Sequence, residues 1–523
     1  MDGGINEVAL TIFIVIFAAV SVMGFLAARW RRAQEDTISE WGLGGRRFGT
    51  VVTWFLLGGD IYTAYAFVAV PPLVFAVGAQ GFFALPNAII VYPLVFILMP
   101  RLWAVSRQHG YVTPADFIKG RYGSSSLALA TAFTGLLATM PYIALQLVGM
   151  QVVFGAMGIE GDWPLIIAFL VLALYTYQSG IRAPALIAIV KDTLIYVVIL
   201  VAVIYIPYKL GGFDEIFGAA KESLPEKEGP TGQPGALFPG TDAAQTAYAT
   251  LALGSALGLL VYPHVITAIL SAEDTNTIRR TATILPAYTL MLGLIALLGL
   301  MAIAADIQPS GPNTVVPDLF AEFFPSWFEG VAFAAIAIGA LVPAAVMSIA
   351  AANLFTRNIY KEYIRKDADD AEESLVARIT SLFVKGGALI FIIALPTKYA
   401  IDLQLLAGVW ILQTLPAIVF GLWTRWLHKW ALLAGWLAGM IVGTGMAIDL
   451  DFKSSVYELD LFGWTVNAYD GVIALVLNLV IAVVGTLLLS AFGVRRGPDE
   501  TEPEHYEDLG ERRTEGALAT PVA

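Results

Sequence analysis

The sequence predicts an all-α polytopic membrane protein of about 13 transmembrane helices, built from two five-helix repeats of opposite orientation, each with a broken first helix. Three observations predict it. Apolar runs of roughly 20 residues, long enough to cross a bilayer, recur along the whole chain of 523 residues. Hydrophobic residues make up 58% of the chain and charged residues only 14%, against about a quarter charged in a soluble domain. Two of the apolar runs are interrupted at what should be mid-membrane depth, in corresponding places of the two halves. The weak alternation of outer-membrane barrel strands is absent. With no cysteine in the chain, disulfides, thiol catalysis and cysteine metal sites are excluded. The net charge of −12 lies largely in loops and in residues 497–523, so it describes solvated surface.

The first span, residues 8–28, follows Asp2 and Glu7 and precedes Arg29, Arg31 and Arg32. Those flanking charges are wrong for a cleaved signal peptide, and an uncleaved span with an outer N-terminus is expected. The second span, residues 48–77, has at its centre Leu57-Gly58-Gly59-Asp60-Ile61-Tyr62-Thr63. Glycine costs roughly 1 kcal/mol in a helix interior, and an Asp at the bilayer centre roughly 2.5–3.5 kcal/mol. A segment that only anchored the protein would avoid both. Unwound backbone at that depth is tolerated where it faces protein, water or a ligand, so residues 58–62 are expected to form a hinge that binds something.

Spans three to six follow at residues 81–99, 126–157, 163–177 and, after the turn 178–184, up to 208. Residues 209–245 hold glycines, prolines and mixed charges and are expected as an outer loop. Spans seven and eight cover 246–270 and 281–305, separated by a loop at 271–280. Residues 306–328 carry Pro309, Pro312, Pro317 and Pro325 without a basic residue and are placed outside. The ninth span, 330–356, leads into a charged loop at 357–373. The last four spans are 375–395, 401–423, 430–448 and 470–492.

Lysine and arginine fix the orientation by the positive-inside rule. About 22 of the 30 fall on the proposed inner side and about five on the outer side. The expected organisation is an extra helix and inner link (1–47), a first repeat (48–208), the outer loop (209–245) and a second repeat (246–423). Two extra helices (424–493) and an acidic, disordered inner tail (494–523) complete it. Five spans per repeat is odd, so the second repeat is inverted. Its first helix carries Gly254-Ser255, Gly258 and then Val261-Tyr-Pro-His264, matching the interruption at Gly58-Gly59. Such paired interruptions point to a transporter binding site, although membrane glycines also serve close packing.

Several residues inside the spans could carry chemistry. Asp60 would organise or bind a cation, or be satisfied by neighbouring hydroxyls and backbone. Ala345 and Ser348, at i and i+3 in span nine, put a carbonyl and a hydroxyl on one face. A hard cation such as sodium takes neutral oxygens of this kind, while a lone membrane serine commonly bonds back within its own helix. Lys385, about a third of the way into span ten, is expected to snorkel toward the headgroups. It is the only basic side chain placed well inside the core, so a di-acid lacks an obvious partner. Asp192 beside Lys191 reads as an interfacial pair or as a step on an ion exit route. His264 is expected to be packed and hydrogen-bonded rather than a proton relay. No G-x-x-x-x-G-K-[ST] loop is present. The four histidines (His109, His264, His428 and His505) form no H-E-x-x-H, so no enzyme, cofactor or nucleic-acid partner is indicated.

Taken together, these stretches make the chain resemble the sodium:solute symporter family from about Gly42 to the end of span thirteen. The carrying motifs are Gly42-Leu-Gly-Gly-Arg-Arg47, Gly59-Asp60, Tyr111-Val-Thr-Pro-Ala-Asp-Phe117 and Ser179-Gly-Ile-Arg-Ala183 with Lys191-Asp192. Pro263-His264 with Arg279-Arg280, and Ala345-Val-Met-Ser348 with Asn358-Ile-Tyr-Lys361, add to them. Gly58-Gly59-Asp60-Ile-Tyr-Thr-Ala and Met140-Pro-Tyr-Ile-Ala-Leu-Gln146 look most like the family's bacterial monocarboxylate permeases. The resemblance implies the LeuT-like inverted-repeat fold and a sodium site from the backbone at Gly58, Ile61 and Ala345. It also implies hydroxyls at two adjacent positions of span nine, here Ser348 and Ile349. Ile349 has no side-chain oxygen, so proton coupling through Asp60 or another acid stands beside sodium coupling. Family substrate positions fall here on Ser255 and Leu259, which argues against proline, and on Tyr142.

The expected function is a symporter in the bacterial inner membrane that imports short monocarboxylates such as lactate, pyruvate, acetate or propionate. The carboxylate would rest on amides and positive half-helix ends at the breaks near Gly59, with hydroxyls of Tyr62, Thr63, Tyr142 or Ser255 and a donor from Gln146. A carrier for an amino acid or other small zwitterion, and an uncoupled uniporter or channel, are the alternatives.

Overall fold

A computed structural model describes residues 5–30, 36–59, 63–161, 163–227, 234–394, 400–461 and 464–507. Among these, nine helices are long and apolar enough to cross a bilayer, or ten when the bent pair Thr50–Gly59 and Ala64–Val77 is taken as one span. Shorter apolar helices occupy Trp163–Ser179 and Ala400–Thr414, and Asp370–Ala394 is helical as well. The chain is an all-α polytopic membrane protein with a broken helix at the start of each half.

The centre of the bundle is the Ser326–Phe355 helix. It is apolar all round and buried along residues 332–354, the signature of a helix surrounded by protein rather than lipid. The Glu7–Leu26, Ser125–Ala156, Arg182–Lys209 and Asp370–Ala394 helices pack around it. The two broken helices begin and end at one common place. The Phe48 amide donates to the Ser271 carbonyl at 3.1 Å, and the Glu273 amide returns to the Phe48 carbonyl at 3.0 Å.

Breaks form where the backbone ladder cannot continue. In the first, the helix runs to Gly59 and resumes at Ala64, capped by Thr63, whose hydroxyl accepts from the Tyr65 amide at 3.0 Å. The halves are bent by 40°. In the second, Asp242–Val261 ends at an extended Tyr262 (φ −59°, ψ 136°) and restarts at Pro263. Proline has no N–H to give the preceding turn and tolerates the first helical position. Gly254 and Gly258 therefore do not make this break. Gly254 instead lies where a Cβ would stand 2.3 Å from the Tyr469 ring.

Several expected loops are partly helical. Residues 209–245 contain Phe213–Ser223, residues 306–328 contain Val315–Phe323, and the helix after residue 270 starts at Thr275 under the Asp274 cap. The charged stretch after Phe355 continues as a π-helix, Thr356–Ile364. An antiparallel hairpin, Val456–Leu461 with Trp464–Tyr469, joins the last two membrane helices. Where a disordered tail was expected, residues 494–507 lie against the bundle, with Tyr506 only 4% exposed. Asp499 pairs with Arg121 at 2.8 Å and with Arg425 at 3.2 Å.

Candidate functional site

The described end of the first half-helix meets a polar cluster with no access to solvent. A helix leaves the carbonyls of its last turn without intrahelical donors. At Gly59 that carbonyl accepts the Lys191 ammonium at 2.9 Å. Lys191 Nζ also lies 2.9 Å from Asp192 Oδ1, and both side chains are fully buried. Asp192 Oδ2 accepts from the Tyr288 hydroxyl at 2.7 Å. The Tyr288 ring lies over Gly58, where a Cβ would approach within 2.1 Å of it, and a Cβ at Gly59 would stand 3.0 Å from Lys191 Nζ. Both glycines are thus the price of close approach: one admits a ring, the other an ammonium.

This placement changes the reading of the basic residues. Lys191 and Asp192 are not an interfacial pair, because the Arg182–Lys209 helix turns them inward toward the break. Lys385 is not alone inside the core, nor does it snorkel. It is 3% exposed and donates to the Ser381 carbonyl of its own helix at 3.4 Å. Tyr288 drew no attention in the sequence, where a tyrosine within an apolar run resembles any other.

Gln146 and Thr63 both bond the backbone at the start of the second half-helix. Gln146 Oε1 accepts from the Ala64 amide at 3.0 Å, and its Nε2 donates to the Tyr142 carbonyl at 3.2 Å. With the Thr63 cap, the start of the second half-helix is satisfied internally. Ser348 is fully buried and its hydroxyl donates to the Ala345 carbonyl at 2.8 Å. The two oxygens do share a face, and they are bonded to each other. Ile349 beside them is fully buried and apolar. Asp60, Ile61 and Tyr62 lie outside the described residues.

At the second break, Tyr142, Tyr262 and His264 form a ring cluster with centroids 5.1 to 5.4 Å apart. The Tyr262 hydroxyl donates to the Gln404 carbonyl at 3.2 Å. His264 is packed as expected but is not hydrogen-bonded: among the described residues, neither ring nitrogen meets a partner, and the same holds for the Ser255 hydroxyl. Ser255 is buried and Leu259 half-buried on the helix before the break. A cavity of about 650 Å³ near the hairpin reaches inward to Leu251 and Leu405. Another, of about 420 Å³ at the opposite end, is lined by Asp116, Lys119, Arg357 and Asn358. Neither is lined by Ser255, Tyr142 or Tyr262, which are each buried.

The family motifs near the basic end hold this end together. Gly44 and Gly45 take left-handed backbone (φ 61° and 68°), which lets Arg46 reach the carbonyls of Tyr111 at 2.5 Å and Leu270 at 3.3 Å. Asp116 closes a capping box with Thr113 and accepts from Asn358 Nδ2 at 2.7 Å, while the Thr113 hydroxyl donates to Asn358 Oδ1 at 2.7 Å. The Tyr111 and Asn358 motifs are two halves of one lock.

A helical bundle with one interrupted helix in each half, packed together around buried polar groups, is the architecture of a membrane transporter. The family model of the sodium:solute symporter family matches residues 41–443. The chain belongs to that family. It is 56% identical over 492 residues to a monocarboxylate transport permease protein of Rhizobium johnstonii, covering 94% of this chain and 99% of the relative. It is 33% identical over 446 residues to the uncharacterized symporter YodF of Bacillus subtilis, covering 84% and 87%. Among solved structures, a Na+-coupled sialic acid symporter superposes with a TM-score of 0.74 at 15% identity, covering 93% of this chain and 98% of that one. That likeness bears on the fold.

Proposed function

We propose that this solute symporter carries short monocarboxylates of the lactate, pyruvate, acetate and propionate type by alternating access, driven by a sodium or proton gradient. The observation that carries the reading is the 56% identity, across 94% of the chain, to a protein named a monocarboxylate transport permease. The polar groups at the second break support it: Tyr142, Tyr262 and His264 pack together there, and among the described residues the His264 ring nitrogens and the Ser255 hydroxyl on the helix before it have no partner. Among the described residues the cation at the first break is Lys191, 2.9 Å from Asp192, so a di-acid would meet no second cation there. In this reading residues 48–208 and 246–423 are the inverted repeats, the N-terminus faces outward and the C-terminus inward, and the membrane is the bacterial inner membrane. Asp60, Gly59 and Tyr62 belong to the same site by their place in the first break. Coupling-ion ligands would come from Gly58, Ile61, Ala345 and Ser348.

Uptake of labelled lactate, pyruvate, acetate and propionate into proteoliposomes tests the reading. Accumulation of at least one of them above equilibrium, with competition by the others, is expected. Competition by alanine or proline alone would replace it with the zwitterion reading, and equilibration without accumulation would replace it with a uniporter.

A further inference from the structure

We propose that the turn 421–430 and the chain just after the last membrane helix together form a binding site for the headgroup of an anionic phospholipid. The proposal goes beyond the transport reading and needs no substrate.

The first observation is where the cations meet. Arg425 and Lys429 lie in the turn that opens the Lys429–Asp449 helix, and Arg495 and Arg496 follow the Asp470–Ala491 helix. The Arg496 guanidinium donates to the Arg425 carbonyl at 2.6 Å and to the Trp426 carbonyl at 3.0 Å, which sets the two basic groups side by side. A cluster of four or more Lys and Arg next to a membrane helix attracts anionic lipid.

The second is charge balance. Asp499 faces this group, 3.2 Å from Arg425, and it is shared with Arg121 at 2.8 Å. Glu500, the next acid, is drawn off toward Gly120 by its amide, and Glu502 stands beside His505. The exposed Arg495 side chain makes no hydrogen bond or ion pair among the described residues. A guanidinium has five donors and an ammonium three; Arg496 spends two on carbonyls, and Lys429 Nζ reaches the Gly123 carbonyl only at 3.4 Å. Donors are left over, and a lipid phosphate brings only acceptors.

The third is depth in the membrane. Trp423, Trp426 and Trp430 are 55%, 42% and 48% exposed, three large rings in one short turn. Exposed tryptophans of a membrane protein sit at headgroup level, so the cations beside them lie where lipid phosphates are. Arg101 stacks 4.2 Å from the Trp423 ring, and Lys429 Nζ lies 5.7 Å from that of Trp430. The bland reading is that such residues only mark one side of the membrane, as basic loops do. It explains their sign, but not the hydrogen bonds that assemble them from two distant parts of the chain.

The test uses the purified full-length chain, delipidated in a neutral detergent and titrated with dioleoyl phosphatidylglycerol or dioleoyl phosphatidylcholine. The two lipids share their acyl chains and differ in net charge, and bound lipid is counted by native mass spectrometry. The wild type should bind one phosphatidylglycerol about tenfold or more tighter than phosphatidylcholine; equal affinities overturn the proposal. Arg495→Gln should weaken phosphatidylglycerol about fivefold, the effect of one basic residue at a charged membrane surface, and Arg495→Lys should stay within about twofold of the wild type. Lys366→Gln removes an exposed cation that lines the 420 Å³ cavity instead and should change nothing. A loss equal to that of Arg495→Gln would mean general attraction of anionic lipid and overturn the site, as would full affinity in a protein carrying both Arg495→Gln and Lys429→Gln. Displacement of the lipid by millimolar glycerol phosphate would make this a site for soluble anions and overturn the lipid. Should a variant fail to fold, the comparison of the two lipids on the wild type decides.

Discussion

The Tyr288 hydroxyl and the Asp192 carboxylate meet at 2.7 Å across 96 positions of sequence, joining the Pro286–Ala304 helix to the Arg182–Lys209 helix behind Gly58. The tyrosine thereby does two things: its oxygen anchors the partner of Lys191, and its ring fills the space over the glycine. Tyr288→Phe separates them. The ring stays and the buried carboxylate loses a charge-assisted donor, a loss of about 1.5–3 kcal/mol. Thermal unfolding in detergent should show a lowered midpoint, and uptake should fall because Asp192 no longer holds Lys191 against Gly59. Gly58→Ala attacks the ring half of the arrangement, since its Cβ would stand 2.1 Å from the ring; overpacking of this kind costs about 1–3 kcal/mol. The Gly58→Ala and Tyr288→Leu changes should couple by about 1 kcal/mol or more in a double-mutant cycle, and simple additivity would show that the two do not press on each other.

How much of this was legible in the sequence follows from what leaves a periodic mark. Apolar runs interrupted by Gly58-Gly59 and Tyr262-Pro263 are long-range patterns in one dimension, and the broken helices followed from them. The partner chosen by a side chain at 2.9 Å is not such a pattern. Lys191 next to Asp192 resembles any membrane-edge pair until the helix's rotation is known, and a change of about 100° per residue decides between lipid and core. Gln146 shows why a side chain's partner is hard to read from sequence: the same carboxamide that could donate to a ligand through its nitrogen also accepts from the Ala64 amide through its oxygen. The hairpin at 456–469 was missed for a different reason: its strands are short and lie between two strong apolar runs.

Lys385 is buried against expectation, with a long 3.4 Å hydrogen bond to Ser381. Desolvating an ammonium without a close acid is unfavourable, and replacing a buried charge by an apolar residue of similar volume is often neutral or stabilising by about 1–4 kcal/mol. Lys385→Met should therefore raise the unfolding midpoint and leave uptake unchanged. A loss of transport with unchanged stability would give this lysine a part in the cycle.

Asn358 clamps Asp116 and Thr113 with two bonds of 2.7 Å each, all three residues being buried. Asn358→Ala removes both and leaves Asp116 with the amides of Val112 and Thr113. The end of the bundle they close should open more often. The chain has no cysteine, so one introduced by Ala128→Cys, at the wall of the nearby cavity, reports access without background. Its maleimide labelling should accelerate about tenfold in the Asn358→Ala protein, a shift of ~1.4 kcal/mol in the opening equilibrium. An unchanged rate would make the lock a matter of assembly alone.

The tail contact is the last to test. Arg121 is almost buried and donates to the Gly421 carbonyl at 2.9 Å, to Asp499 at 2.8 Å and to Thr501 at 3.0 Å. The Glu500 amide reaches the Gly120 carbonyl at 3.0 Å, so the tail is pinned by backbone as well as by charge. Asp499→Ala deprives both Arg121 and Arg425 of their carboxylate, and leaving a largely buried arginine without its acid costs about 3–5 kcal/mol when burial is complete, less here because water reaches the pair. The Glu500 amide, protected in the wild type, should then exchange hydrogen about as fast as a free chain. Amides of the Ser326–Phe355 helix should keep their protection, because that helix is buried by the helices packed around it. Retained protection at Glu500 would mean that Tyr506, packed between Arg101 and Arg121 with each guanidinium within 5.3 Å of its ring, holds the tail without the ion pair.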